Sequence, residues 1–285
     1  MLNQEQKQQI AALVQVHIDS CKSQNDAARV LSVSPATLSQ IKNANWQNID
    51  EKMWLKIGKQ LGFTQGKWST VMTRSATMLH VLLNDASNWS IVYGITGSPG
   101  CGKSHIAREF AANNANVFHI SCDEFWNKKQ FLQELLTKMG EDPSGMNCND
   151  MMGKIVNVML GLENPLIILD EADKLNDPVL YLFITLYNRL EDKCGIILMA
   201  TDHLEKRINK GLRLNRKGYK EIFSRLGRKF IKLPEVSEKD ILSVCKANGV
   251  ESSISITEIW NDSEGDLRRV KRKIHAIKNR EKQAA

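Results

Sequence analysis

The segment GSPGCGKS, residues 97–104, has the residue types and spacing of a phosphate-binding loop. It follows an apolar run and precedes a helical pattern, which is the context that a GxxxxGKS motif requires. Its glycines let backbone N–H groups surround a phosphate, and a helix beginning near Gly102 adds the positive end of its dipole. We expect Lys103 to reach the β- and γ-phosphates of ATP, and Ser104 to ligate Mg²⁺. The predicted nucleotide-binding residues are Gly97, Ser98, Pro99, Gly100, Cys101, Gly102, Lys103 and Ser104.

A second segment, PLIILDEADKL, supplies two adjacent carboxylates. Its apolar residues carry Asp170 and Glu171 to the end of a predicted strand, where the first can hold the Mg²⁺ shell and the second can polarise an attacking water. An acid pair at a strand end is often only a helix cap, but beside a GxxxxGKS motif it indicates a nucleotide site. Because a small-molecule kinase needs no water-activating glutamate, the pair favours hydrolysis.

Short apolar runs separated by helical stretches predict the scaffold that positions these residues. Such alternation is typical of an α/β fold with a mostly parallel sheet. The runs are SIVYGIT, NVFHIS, PLIILD, GIILMAT and KFIKLP.

Helical patterns flank this region on both sides. Residues 1 to about 60 have helical apolar spacing, and Gly62, Thr64 and Gly66 mark a joint before the next segment. After Pro234 the pattern becomes helical again, with Ser237 as the N-cap of a helix that ends at Gly249. We therefore predict an N-terminal helical domain over residues 1–60, a central α/β domain over 61–235 and C-terminal helices over 236–285.

The composition favours a polyanionic partner. The formal charge is +7 and the isoelectric point is about 9.0, which places nucleic acid ahead of an anionic membrane surface. The six cysteines contain no CxxC pair, which argues against zinc and against a disulfide framework. The N-terminus lacks a basic start followed by an apolar core, and no apolar run approaches the roughly 20 residues of a membrane span. We expect a soluble, cytoplasmic protein with no membrane partner.

The segment NKGLRLNRKGYKEIFSRLGRK, residues 209–229, is strongly basic, with eight Lys or Arg residues against a single acid, Glu221. Leucine, isoleucine and phenylalanine interrupt the charges, so the segment is expected to be partly folded. Two roles compete for its arginines: binding a nucleic-acid backbone, or reaching a phosphate held elsewhere in an assembly.

The order GSPGCGKS, LIILDEAD, IILMATD, FSRLGRK and GDLRR resembles the AAA+ ATPases over residues 65 to 280. Domain order, size and basic charge also resemble the phage Mu B family of target-DNA-binding transposition ATPases. The resemblance implies an AAA+ P-loop sheet flanked by helices, with an N-terminal helix-turn-helix domain and a C-terminal helical lid.

The resemblance also implies roles for three further residues. Thr201 occupies the sensor 1 position, which contacts the γ-phosphate or the attacking water, and Asp202 could share that role. Arg268 in GDLRR corresponds to sensor 2, which projects from the lid onto the nucleotide, although a solvated basic helix face is the alternative. Arg225 is the candidate for an arginine that reaches into a neighbouring subunit's site, with Arg228 in reserve.

The earlier part of the basic segment lies too far from this position for the same role. Contact with the DNA backbone is plausible there, and an exposed loop without a partner is the alternative. The basic residues in this part and just before it are Lys206, Arg207, Lys210, Arg213, Arg216 and Lys217.

The segment QNDAARVLSVSPATLSQIKNANW resembles a helix-turn-helix of the phage-repressor type. Ser34 and Pro35 form a good helix start, and the side chains of Ala36, Thr37, Ser39 and Gln40 would face the groove. Relatives often have Gly at the position of Ser32. A small protein-binding helical domain is the alternative.

These observations predict an ATP-dependent ATPase that binds double-stranded DNA. The resemblance implies that it forms an ATP-dependent homo-oligomer or filament on that DNA and presents the DNA to a transposase. The expected cofactors are ATP and Mg²⁺, and hydrolysis is expected to be slow and DNA-stimulated. A helicase loader or replication initiator is one alternative. A nucleotide-sensing transcription regulator is the other.

Overall fold

A computed structural model describes Leu2 and residues 4–21, 23–61 and 68–284. The chain divides into two compact units, residues 1–69 and residues 70–285. The predicted joint at Gly62, Thr64 and Gly66 lies outside the described residues.

The N-terminal unit is helical. Ser34 accepts a hydrogen bond from the backbone N–H of Thr37 and so caps the third helix, which begins at Pro35 as expected. Ala27, Ala28 and Leu38 are buried, which lets the second and third helices pack closely. Ser32 takes a φ of +48° in the turn between them, a conformation that glycine adopts most readily. The helices are α1 (Gln4–Ser20), α2 (Gln24–Val30), α3 (Pro35–Lys42) and α4 (Glu51–Gln60), with a 3₁₀ turn at Trp46–Asn48.

The second unit is built on a five-stranded sheet in which all paired strands are parallel. Each strand falls within one of the five predicted apolar runs, so the α/β prediction is confirmed. The strand order is β2-β3-β4-β1-β5. The strands are β1 (Val92–Thr96), β2 (Val117–Ser121), β3 (Leu166–Asp170), β4 (Gly195–Ala200) and β5 (Phe230–Lys232).

Helices cover both faces of this sheet, which explains why β3 and β4 are buried throughout and contain almost only apolar residues. On one face lie α5 (Arg74–Trp89) and α6 (Lys103–Asn113). The other face is covered by α7 (Lys128–Lys138), α8 (Cys148–Leu160), the short α9 (Asp177–Leu180), α10 (Leu182–Leu190), α11 (Asp202–Arg213) and α12 (Tyr219–Arg225). No helix in the described part of the chain is long and apolar enough to cross a membrane.

The C-terminal segment forms α13 (Glu238–Ala247), α14 (Ser253–Ser263) and α15 (Leu267–Ala284). Ser237 caps α13, as expected, in a reciprocal arrangement with Asp240. Asp240 is buried and also accepts a hydrogen bond from the backbone N–H of Arg74 at 3.1 Å, which ties α13 to the start of α5. The hydroxyl of Ser75 donates to the carbonyl of Pro234 at 2.5 Å and strengthens the same junction.

We expect Asp240→Asn to lower the free energy of unfolding by about 2 kcal/mol at pH 7, because the amide cannot satisfy all the donors that face the carboxylate. Burial alone would raise the pKa of Asp240, but hydrogen bonds from Ser237 and Arg74 outweigh burial and hold it below the ordinary value of 3.8. A lowered folded-state pKa means that the stabilisation is complete above the unfolded-state pKa. It is lost as pH falls through the lower folded-state value.

Urea unfolding at pH 7 and at acidic pH measures this difference. Glu238→Gln, at an exposed acid in the first turn of the same helix, is the matched control. A loss of stability in Asp240→Asn no larger than in this control would contradict the prediction.

Candidate functional site

The loop after β1 is wrapped around its own lysine. The Nζ atom of Lys103 donates to the backbone carbonyls of Gly97 and Ser98 at 2.7 and 3.1 Å, and lies 3.7 Å from the sulfur of Cys101. Gly100 and Gly102 have φ values of +77° and +97°, which only glycine adopts without strain. Helix α6 begins directly after Gly102, so its N-terminal amides point into the loop. The predicted phosphate-binding residues therefore lie together between the end of β1 and the start of α6.

Asp170 lies at the carboxyl end of β3, beside the first turn of α6. It is 1% exposed, accepts a hydrogen bond from Nε2 of His119 at 3.3 Å, and lies near enough to the hydroxyl of Ser104 for hydrogen bonding from that hydroxyl to lower its pKa. Burial raises the pKa of Asp170, but these hydrogen bonds and the backbone N–H of Glu171 outweigh burial, so its pKa lies below the ordinary value of 3.8. The carboxylate is therefore ionised at neutral pH.

This arrangement fits a magnesium ion bound together with a nucleotide. Mg²⁺ prefers oxygen ligands and is usually held by one or two protein groups plus phosphate oxygens and water. The structure places the hydroxyl of Ser104 near the carboxylate of Asp170, at the edge of the phosphate-binding loop. These are the two residues that the sequence assigns to the metal.

Glu171 follows Asp170 in the left-handed region, with a φ of +56°, and its backbone N–H donates to Oδ1 of Asp170 at 3.0 Å. This conformation turns its side chain away from the strand direction. Its Oε2 atom lies 2.6 Å from Nζ of Lys174, in the short turn after β3. That hydrogen bond raises the pKa of Lys174 above its ordinary value. The predicted catalytic carboxylate is thus paired with a lysine of its own segment.

Thr201 lies at the end of the neighbouring strand β4 and caps α11. Its hydroxyl donates to Oδ2 of Asp173 at 2.9 Å. Asp173 is the last acid of the DEAD segment, so the contact joins the predicted sensor 1 position to the turn that follows Asp170 and Glu171.

The first turn of α15 rests on the phosphate-binding loop. The backbone N–H of Leu267 donates to the carbonyl of Gly100 at 3.0 Å. The carboxylate of Asp266 is so near Gly100 that an added Cβ there would fall 2.1 Å from its Oδ1 atom, so only glycine fits. Arg268 is exposed at this turn, and its backbone N–H donates to Asp266 at 2.7 Å. The predicted sensor 2 residue therefore lies in the first turn of a helix that contacts the loop directly.

Arg225 lies farther away, at the end of α12, with its guanidinium against α10. Its Nη2 and Nε atoms donate to Oδ1 of Asn188 at 2.7 and 3.0 Å, and the group lies 5.3 Å from the ring centroid of Tyr187. Glu221 forms a salt bridge to it at 3.7 Å. Arg228 is exposed, with a φ of +59°. In the single chain neither arginine is placed with the phosphate-binding residues.

The sequence places Arg207 among the basic residues that could contact the DNA backbone, but in the structure its side chain points inward. Its Nη1 atom donates to the carbonyl of Leu175 at 2.5 Å, and Nη2 pairs with Asp177, which also accepts from the hydroxyl of Tyr219. Arg207 therefore links α11 to the turn after β3 and is unsuited to a DNA backbone contact. By contrast, the side chains of Lys210, Arg213, Arg216 and Lys217 are exposed.

In the N-terminal unit, Thr37, Ser39 and Gln40 lie on α3 with intermediate exposure, and Ala36 is exposed. The hydroxyl of Thr37 lies 2.8 Å from that of Ser34 in the cap. Ser39 and Gln40 remain candidates for groove contact.

The sequence did not indicate four residues that the structure brings to the site: His119, Asp173, Lys174 and Asp266. Asp173 and Lys174 lie in the quoted DEADKL segment, so their proximity to the site could have been inferred. His119 is a lone histidine in an apolar strand, and Asp266 meets the loop through a contact between distant parts of the chain. Neither has a local sequence signal.

A family model matches the part of the chain that contains this site. Residues 92–208 match a family model described as an AAA domain, a range that runs from β1 into α11 and includes the phosphate-binding loop, Asp170, Glu171 and Thr201. This region is therefore similar to AAA domains, a class of nucleotide-binding ATPase domain. Among solved structures, the chain is similar to NtrX from Brucella abortus, with 14% identity and a TM-score of 0.48. That alignment covers 83% of this chain and 57% of the NtrX chain. No curated protein matches the sequence.

Proposed function

We propose that the protein is an ATP-dependent DNA-binding ATPase that assembles on double-stranded target DNA and presents it to a transposase. The observation that carries the ATPase part is that Asp170, with Glu171 directly after it, lies near Ser104 of the phosphate-binding loop, inside the region that matches the AAA family model. The DNA and transposase parts rest on the exposed basic residues, the helix-turn-helix geometry and the resemblance to transposition ATPases.

Each residue of the site has a role in nucleotide binding. The backbone N–H groups of residues 97–104 other than Pro99, including those at the N-terminus of α6, donate to phosphate oxygens. Lys103 exchanges its backbone carbonyl partners for the β- and γ-phosphates. Ser104 and Asp170 would hold Mg²⁺, which when bound neutralises developing charge on the phosphates. Arg268, on the turn that touches Gly100, would add a positive charge from the C-terminal helices.

In the hydrolytic step, Glu171 accepts a proton from the attacking water as the oxygen of that water forms a bond to the γ-phosphorus. The bond between the γ-phosphorus and the bridging oxygen breaks, which yields ADP and phosphate. Glu171 must first leave Lys174, and both side chains are half-exposed, so the ion pair offers only a small barrier. Thr201, held by Asp173, is positioned to orient the water or the γ-phosphate.

The DNA-binding surface is assigned to the basic cluster, defined as Lys210, Arg213, Arg216 and Lys217. These residues lie at the end of α11 and in the turn before α12. Their charges are exposed, whereas Arg207 of the same helix is used internally. Flexible cations at a helix end can bind phosphates on any sequence, which suits coating of arbitrary DNA.

Replacing all four residues of the basic cluster by Ala should weaken binding to every duplex by a similar factor. Each lost phosphate contact should reduce the slope of log affinity against log salt concentration by roughly 0.9. Fluorescence anisotropy with duplexes of different sequence, measured over a salt series in the presence of ATP, gives both quantities. ATP binding should be unchanged.

A matched control removes four exposed lysines from other surfaces, Lys128, Lys129, Lys193 and Lys239, and so lowers the net charge equally. An equal loss of DNA affinity in this control would show that only net charge matters, and would remove the basic cluster from the proposal.

The same assay separates the competing functions. ATP-dependent binding that ignores sequence supports the proposed role, and binding to one operator sequence without ATP would instead indicate a transcription regulator. ATP-dependent association with a replicative helicase, and none with a transposase, would indicate a helicase loader or initiator.

A further inference from the structure

His119 is a polar side chain in the middle of the edge strand β2, and only 9% of its side chain is exposed. The parallel register places His119 opposite Ile168 of β3, so its side chain lies on the same face as Asp170, two residues further along β3. Nε2 of His119 is 3.3 Å from Oδ2 of Asp170, and the two side chains are 9% and 1% exposed. This is the face that α6 covers and on which Ser104 lies.

The contact has a defined hydrogen-bond direction. An ionised carboxylate is only an acceptor, so Nε2 of His119 must carry the proton and donate to Asp170. Oδ1 of Asp170 accepts from the backbone N–H of Glu171, while Oδ2 faces the histidine. Both oxygens are therefore oriented, one by backbone and one by a side chain from the neighbouring strand.

We infer that His119 is a positioning residue that holds the carboxylate of Asp170 toward Ser104 and thereby sets how tightly Mg²⁺ joins the bound nucleotide. The inference rests on the proposed ATPase function. Without the histidine donor, a nearly inaccessible carboxylate would lose one of its few partners and could rotate about its side-chain torsions. Binding of Mg²⁺ would then also have to order that carboxylate, which would lower the affinity for Mg²⁺. Partners that orient a metal-binding carboxylate in this way typically change metal affinity about 10- to 100-fold when removed.

A histidine that only fills space would behave differently. Its replacement by a side chain of similar volume would leave the Mg²⁺ dependence unchanged, whatever it did to stability. Two variants separate these roles: His119→Phe keeps a ring of similar size without a donor, and His119→Gln keeps an N–H donor at a similar reach.

The measurement is the affinity of the full-length protein for a fluorescent ATP analogue, first in EDTA and then as Mg²⁺ is titrated. In EDTA, His119→Phe should bind as the wild type does. The Mg²⁺ concentration that gives half the metal-induced change in affinity should rise about 10-fold or more, and His119→Gln should recover most of the difference. Binding of Mn²⁺ to the nucleotide complex, followed by electron paramagnetic resonance, should weaken in the same order. His80→Phe, at an exposed histidine of α5, is the control for the substitution type.

If folded His119→Phe binds Mg²⁺ and Mn²⁺ as tightly as the wild type, the inference is overturned, but the proposed ATPase function is not. The same conclusion follows if His119→Gln binds these metals no more tightly than His119→Phe. Thermal melting without nucleotide shows whether each variant folds, and His119→Leu replaces His119→Phe if the latter does not. A wild-type protein that binds no nucleotide would instead overturn the proposed function on which the inference depends.

Discussion

Glu171→Gln is expected to bind ATP with near-wild-type affinity and to hydrolyse it about 10²- to 10⁴-fold more slowly, the range typical for loss of a general base. The amide has the same shape as the carboxylate, so the substitution makes no new steric demand on the left-handed backbone at residue 171. The change therefore removes proton acceptance and leaves the magnesium-binding candidates Asp170 and Ser104 unaltered. If ATP drives assembly, the variant should stay bound to DNA.

Lys103→Ala should act at the earlier step. Lys103 is the cation enclosed by the phosphate-binding loop, so its removal should abolish detectable ATP binding. A fluorescent ATP analogue measures binding, and release of inorganic phosphate measures hydrolysis. Glu163→Gln is the matched control, because Glu163 is an exposed acid that precedes the first residue of β3, at the end of the strand away from Asp170. It should leave ATP binding and hydrolysis unchanged. Equal loss of ATP binding in Glu171→Gln and Lys103→Ala would refute the roles assigned to them.

The sheet and the phosphate-binding loop were predictable because both are encoded locally. Strands buried on both faces read as continuous apolar runs, as in β3 and β4, and a run of that kind needs no knowledge of its neighbours. The glycine spacing of the loop likewise has one geometric solution between a strand and a helix. β5 forms only over Phe230–Lys232, which is shorter than its apolar run.

The contacts that complete the site depend on how distant segments pack. His119 reaches Asp170 because of the register between β2 and β3, and Asp266 meets Gly100 because α15 returns to the loop. Residue types alone also mislead about direction: Arg207 lies in a basic segment, yet its side chain points inward to Asp177. Only the three-dimensional arrangement shows that such polar side chains contact other parts of the chain and are not simply exposed to solvent.

Arg225→Ala should bind ATP normally but lose hydrolysis and nucleotide-dependent assembly if, as we propose, Arg225 serves the site of a neighbouring subunit. A guanidinium supplied across an interface typically contributes about 10³- to 10⁵-fold to the rate. In the single chain this group binds Asn188 and covers the ring of Tyr187, so the competing role is to hold α12 against α10. Asn188→Ala is the matched control, because it removes the anchoring contact and keeps the guanidinium. A structural role predicts similar losses in the two variants, whereas a role at a neighbouring site predicts a large loss only in Arg225→Ala.

The decisive test of that role mixes Arg225→Ala with Lys103→Ala. The first subunit lacks the arginine but keeps a nucleotide site, and the second lacks the site but keeps the arginine. With random head-to-tail mixing, about one interface in four joins an intact arginine to an intact site, so hydrolysis should recover in part although neither variant is active alone. Crosslinking must show that the two variants co-assemble, since Lys103→Ala has to enter the assembly without its own nucleotide. Co-assembled mixtures that recover no hydrolysis, together with normal ATP-driven assembly of Arg225→Ala alone, would return Arg225 to the role of anchoring α12 on α10.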